Sequence, residues 1–234
     1  MTPMLRQNLT LCVLVLIGIN MRPLLTSIGP LLPDIRAASG MSYTLVALLT
    51  ALPVIAMGVL ALAGGWVDRT VGQNRSIALS LLIIAAGALL RESAPHSGLL
   101  LSSALAGGIG IGIIQAAIPA VIKRLFARRT PLVMGLWSAA LMGGGGLGAA
   151  FTPWLASRST VWHQALAWWA LPALLALLGW LAICRQLPRA PHQTSASPRV
   201  AIIGQRRAWT LGLYFGLINA GYASLIAWLP PYYI

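Results

Sequence analysis

Residues 9–32 read LTLCVLVLIGINMRPLLTSIGPLL, a run with a single charge, Arg22, near its middle. A helix needs about 20 apolar residues to cross a hydrocarbon core ~30 Å thick, so this run predicts a membrane span. An arginine at mid-depth costs roughly 2.5 to 3.5 kcal/mol on insertion scales and therefore faces a bundle interior or a wet cavity. Apolar residues extend on both sides, too far for the guanidinium to snorkel to a headgroup. Pro23 follows directly. Proline has no amide to offer the carbonyl of Ile19, and its ring crowds that turn. Asn20-Met21-Arg22-Pro23 is therefore expected to kink the helix. Gly18, Thr26 and Gly29 share the Arg22 face at helical spacing, a small polar stripe suited to lining a cavity.

The rest of the chain reads the same way. With 58% hydrophobic and only 8% charged residues, it lies far from soluble proteins, of which about a quarter is charged. Spans are predicted at 9–32, 43–66, 76–90, 99–122, 132–155, 162–183 and 208–228, giving an all-α polytopic membrane protein. The run at 76–90 is short and is expected to borrow flanking residues. The first run is too long, and too charged at its centre, for the apolar part of a secretory signal, which is about 7 to 15 residues.

A net charge of +13 would point to nucleic acid in a soluble protein, but here the basic residues sort by side of the membrane. With the N-terminus inside, the cytoplasm receives Arg6, Arg69, Arg75, Lys123, Arg124, Arg128, Arg129, Arg185, Arg189, Arg199, Arg206 and Arg207. The outer loops receive Arg36, Arg91 and Arg158. The excess is a topology signal, and no nucleic-acid partner is expected; the partner is the lipid bilayer. Cys12 and Cys184 fall near cytoplasmic helix ends, where a disulfide is not expected. Residues 184–207 are polar and basic and carry Pro188, Pro191 and Pro198, the composition of a linker. The expected organisation is a six-helix bundle over 1–183, a cytoplasmic linker over 184–207, and a seventh helix within 208–234 that opens a second bundle.

Nothing in the chain has the pattern of a catalytic or metal centre. His96, His163 and His192 are scattered, and Gly107-Gly108-Ile109-Gly110 lies inside an apolar helix with neither a preceding strand nor a following Lys-Ser/Thr. No cofactor or metal is expected. The candidate substrate contacts are the polar residues at membrane depth: Arg22, Thr26, Gln115 one turn before Pro119, and Asn219, with Tyr222 beside it. Asn20 lies off the Arg22 face and is expected to tie helices together. The predicted spans contain no Asp or Glu. A buried cation calls for an anion, so a small anionic substrate is the expected ligand class.

Gly64-Gly65-Trp66-Val67-Asp68-Arg69 with Gly72 and Arg75 resembles the cytoplasmic loop signature of the major facilitator superfamily, although Gly72 stands one position late and Gln73-Asn74 replace basic residues. Gly135, Gly144 and Gly148 keep the spacing of that superfamily's antiporter pattern, with Ala149 where it has proline. Residues 20–33, the stretch from Gly108 to Gln115 with Pro119, Ile122 and Lys123, and residues 131–138 are similar to its cyanate-transporter branch, to which nitroimidazole transporters are related. The resemblance implies a twelve-helix carrier, monomeric when complete, of which this chain supplies the first bundle and the seventh helix. It makes Arg22 an anion contact, Gln115 a cavity residue, and Asp68 with Arg69 a cytoplasmic gate paired with Arg128 or Arg129. The implied activity is transport of cyanate or a similar anion across the bacterial inner membrane. A nitroimidazole exporter of the same fold and a truncated remnant without transport are the alternatives.

Overall fold

The structure, a computed structural model, describes residues 3–93, 96–159, 161–187 and 204–228. The chain divides into two compact units, Met1–Leu187 and Pro188–Ile234. All regular structure among the described residues is helical. In the first unit the helices are α1 (Pro3–Asn20), α2 (Pro23–Thr26), α3 (Leu32–Ser39), α4 (Tyr43–Val71), α5 (Gln73–Leu90), α6 (Ser97–Leu125), α7 (Thr130–Arg158), α8 (Trp162–Ala167) and α9 (Ala170–Cys184). In the second unit the described residues form α10 (Arg206–Trp228).

Six stretches of the described residues are long and apolar enough to cross a membrane: Met4–Ser39, Tyr43–Ala61, Gln73–Leu90, Ser97–Leu125, Ala127–Arg158 and Trp162–Cys184. They coincide with the first six predicted spans, and the chain is a multi-pass membrane protein. The predicted seventh span falls on α10, which is helical but is not one of these six. The prolines of the expected linker lie outside the described residues.

Local chemistry sets the element ends. The third span begins at Gln73, as its short apolar run requires, because Gly72 (φ 88°) ends α4 in a conformation that side-chain-bearing residues rarely adopt. Ser42 caps α4 through its hydroxyl, which accepts from the Leu45 amide. Two spans are broken where the sequence predicts continuous helices. The first is interrupted by a turn at Met21-Arg22 and again by a 3-10 turn over Gly29–Leu31, so it is a chain of short helices and not one kinked rod. The sixth breaks at Trp168-Trp169.

The bundle core joins α1, α5, α6, α7 and α9 through Leu14, Ile17, Ile77, Leu81, Ile114, Ile118, Trp137 and Trp180. A second cluster closes the end that carries α3, through Ile28, Ile35, Val46, Leu49 and Leu100. Large apolar side chains on the outer faces of α4, α7 and α9, among them Val59, Leu132 and Leu178, remain exposed, as a bilayer permits.

Candidate functional site

The interruption around Arg22 is built from backbone chemistry. After Asn20 the chain tightens, the Met21 amide bonding the Gly18 carbonyl at 3.2 Å, and helix resumes at Pro23 with Arg22 in the N-cap position. Pro23 suits the first helical position because an amide there would have no intrahelical partner. The Arg22 carbonyl then accepts from the amides of Leu25 (2.9 Å) and Thr26 (3.0 Å) and from the Thr26 hydroxyl (3.2 Å). Arg22 is half-buried, whereas Thr26 is only 2% exposed. Thr26 therefore spends its hydroxyl on the main chain that presents Arg22, a holding role beneath the contact role expected from its place on the stripe.

The opposite wall is α7. A methyl group on Gly144 would overlap the carbonyl oxygen of Ile19, the carbonyl that Pro23 cannot bond, and one on Gly148 would overlap Thr26 Oγ1 and press on Pro23 Cα at 2.7 Å. The four-residue spacing puts both glycines on one helix face, where they admit the broken backbone. Gly143 and Gly146, in the same run, face open space. Behind this wall Trp169 Nε1 donates to Thr152 Oγ1 at 3.0 Å, and the Thr152 hydroxyl donates to the Gly148 carbonyl, so the break in the sixth span braces the glycine that seats the break in the first.

Gln115 is half-buried on α6, and no described residue hydrogen-bonds its amide. Asn20 is buried and donates to the Leu16 carbonyl of its own helix at 3.3 Å, not across to a neighbour. Asn219 lies on α10 in the second unit, and the side chain of Tyr222 is outside the described residues. Arg22, Thr26 and Gln115 thus belong to one unit, and Asn219 to the other.

The corner where α4 meets α5 forms its own polar cluster. Asp68 Oδ1 accepts from the Ser76 hydroxyl at 2.5 Å. Burial pushes the Asp68 carboxyl above its ordinary pKa, and the Ser76 bond pulls it only part of the way back. Arg128 and Arg129 sit on the exposed 3-10 turn Ala127–Arg129, and among the described residues Asp68 bonds the Ser76 side chain and neither arginine. The Arg69 side chain lies outside the described residues. Gln73 and Asn74, which depart from the family pattern, knit the corner together. Arg124 Nη1 donates to Gln73 Oε1 at 2.8 Å, Asn74 Nδ2 to the Cys184 carbonyl at 3.1 Å, and Trp180 Nε1 to the Asn74 carbonyl at 2.9 Å. These three bonds join α5 to α6 and α9.

Sequence reasoning missed one charged residue. Arg91 reads as part of an outer loop, yet it is 1% exposed at the C-terminal end of α5, between Ser103 of α6 and Ser27. A charge next to an apolar run ordinarily reads as a loop, and the only hint was a pair of serines inside spans. Of the other arginines expected in outer loops, Arg158 is exposed, 5.0 Å from the Trp154 ring, and Arg36 is half-buried, 3.6 Å over the Tyr43 ring.

The chain is 66% identical over 224 residues to the cyanate transport protein CynX of Escherichia coli K12, covering 96% of this chain and 58% of that protein. It is 31% identical over 218 residues to the 2-nitroimidazole transporter of the same strain, covering 93% of this chain and 55% of that protein. The chain therefore spans little more than half the length of the curated relatives it matches. Among solved structures, a bacterial homologue of the human drug peptide transporters PepT1 and PepT2 superposes with a TM-score of 0.67 at 14% identity, over 95% of this chain and 50% of that one. At that identity the likeness speaks for the fold alone. The profile of the Major Facilitator Superfamily matches residues 11–234, and the chain belongs to that superfamily.

Proposed function

We propose that these residues form the first half of a secondary transporter that carries a small monovalent anion, cyanate foremost, across the bacterial inner membrane. The observation that carries the reading is the 66% identity to the cyanate transport protein, sustained over 96% of the chain. Physical chemistry supports the anion. A half-buried guanidinium at a helix break inside an apolar span is costly to insert, and its planar fork of donors suits a small anion. The test is uptake of labelled cyanate by vesicles that hold the complete transporter. Saturable uptake competed by other small anions is expected; uptake of 2-nitroimidazole with indifference to anions would replace this reading with the exporter.

The N-terminus and residues 184–207 lie in the cytoplasm by the charge bias. A cysteine introduced at Ser195 should resist a membrane-impermeant reagent added outside intact spheroplasts, and rapid labelling there would invert the topology. At the cytoplasmic corner, Asp68 exchanges Ser76 for Arg128 or Arg129 in the other access state and so acts with Arg69 as a gate. Exposed pairs contribute about 0 to 1 kcal/mol, so the loss should appear in transport rate and not in folding. Asp68→Arg combined with Arg128→Asp or Arg129→Asp should restore rate lost in the single variants; no recovery in either combination would dismiss the exchange.

A further inference from the structure

The guanidinium of Arg91 occupies a place that ordinary helix packing does not require. It is almost wholly buried, donating through Nε to Ser103 Oγ at 3.3 Å and through Nη1 to Ser27 Oγ at 3.5 Å, while Nη2 has no hydrogen-bond partner among the described residues. Ser27 and Ser103 are themselves fully buried. Its place after the last residue of α5 suits the negative end of that helix, which offsets part of the burial cost. The remainder is an expense that a leucine would avoid, and an incompletely satisfied buried charge calls for a reason beyond stability.

That reason lies in what Ser27 is. Ser27 is the C-cap of α2, its amide bonding the Pro23 carbonyl at 2.9 Å, and Arg22 is the N-cap of the same four-residue helix. A helix this short has little stability of its own and is held by what grips its ends. Gly148 of α7 seats Pro23 and the Thr26 hydroxyl, Gly144 seats Ile19 just before the break, and Ser27 at the C-terminal end is the residue Arg91 reaches. The anchor is rigid, because α6 fixes Arg91 through Ser103, whose hydroxyl in turn donates to the Leu100 carbonyl at 2.7 Å. We propose that Arg91 is a positioning residue that sets the pose of Arg22 through α2, a proposal that rests on the reading of Arg22 as the anion contact. Arg91 does not touch the substrate; it fixes the direction in which the cation that does so is presented.

The experiment uses the complete transporter. Ser27→Ala removes one bond and leaves the volume nearly unchanged, and Arg91→Lys keeps the charge but cannot hold both serines. Each should raise KM for cyanate about three- to tenfold, less than for a bond to the anion itself because the lost bond is long and acts through α2, with kcat and the amount of folded protein nearly unchanged. In an Arg22→Lys background, whose anion contact is already degraded, Ser27→Ala should add little. Fully additive effects, or a fall in kcat and folded protein at unchanged KM, would overturn the proposal and leave Arg91 a structural residue. The alkylation rate of a cysteine introduced at Leu25, on α2, reports the pose without reference to any anion: it should change in Arg91→Lys, and an unchanged rate refutes the positioning role. If instead Arg22→Leu leaves anion affinity intact, the reading of the site fails, while the alkylation rate still decides whether Arg91 holds α2.

Discussion

Arg22→Leu in the complete transporter is expected to abolish measurable anion binding while the protein inserts and folds at least as well as the parent. Hydrogen bonds to a charged group contribute about 1.5 to 3 kcal/mol each, so losing even one lowers affinity roughly ten- to a hundredfold, and losing the charge as well costs more. Insertion moves the other way, because leucine removes the roughly 2.5 to 3.5 kcal/mol that arginine costs at mid-depth. Arg22→Lys separates charge from geometry. It keeps the cation but loses the planar fork that can present two parallel donors, so affinity should fall between the parent and the leucine variant. Binding by calorimetry alongside quantified membrane insertion would decide the matter. Undiminished affinity in the leucine variant would remove Arg22 from the site and leave Gln115 and the second bundle as the places to look.

A comparably large effect, on folding and not on binding, is expected at Gly144. An added methyl would meet the backbone carbonyl of Ile19, which cannot move aside as a flexible side chain could. Overpacking of this kind costs about 1 to 3 kcal/mol when the neighbours can shift, and a larger side chain leaves no relaxed solution. Gly144→Ala should therefore lower the melting temperature of the purified protein and weaken anion binding, since the displaced backbone is the one that carries Arg22. Gly144→Leu should prevent accumulation in the membrane. The neighbours supply the control, because a methyl on Gly143 or Gly146 meets nothing within 4 Å. Alanine at either should leave melting and binding unchanged, and a Gly144→Ala protein that melts with these controls would show that the close approach is not a constraint.

The sequence by itself determined the membrane class, the positions of the six spans counted in the structure, the family and a disturbance at Arg22-Pro23, read as a kink and found as a full break. Each of these is a local property. Length of an apolar run sets whether a helix crosses, and a proline's missing amide acts on a carbonyl four residues away. The third span needed its polar flank for the same local reason, and α5 does begin at Gln73. Only the tertiary structure decided which of the clustered glycines matter. Hydropathy treats Gly143, Gly144 and Gly146 alike, but the rotation of α7 against α1 puts Gly144 on a backbone carbonyl and leaves Gly143 and Gly146 in the open. Thr26 lies on the predicted stripe, yet its hydroxyl turns to the carbonyl four residues back on its own main chain, a choice that spacing alone does not decide. Arg91 is the furthest from being readable. It meets Ser27 across 64 residues of sequence, and the pairing exists because α5 and α6 pack beside the broken first span. A charge at the end of an apolar run has two fates, water or burial against distant polar groups. The helix packing that selects between them is a property of the assembled bundle.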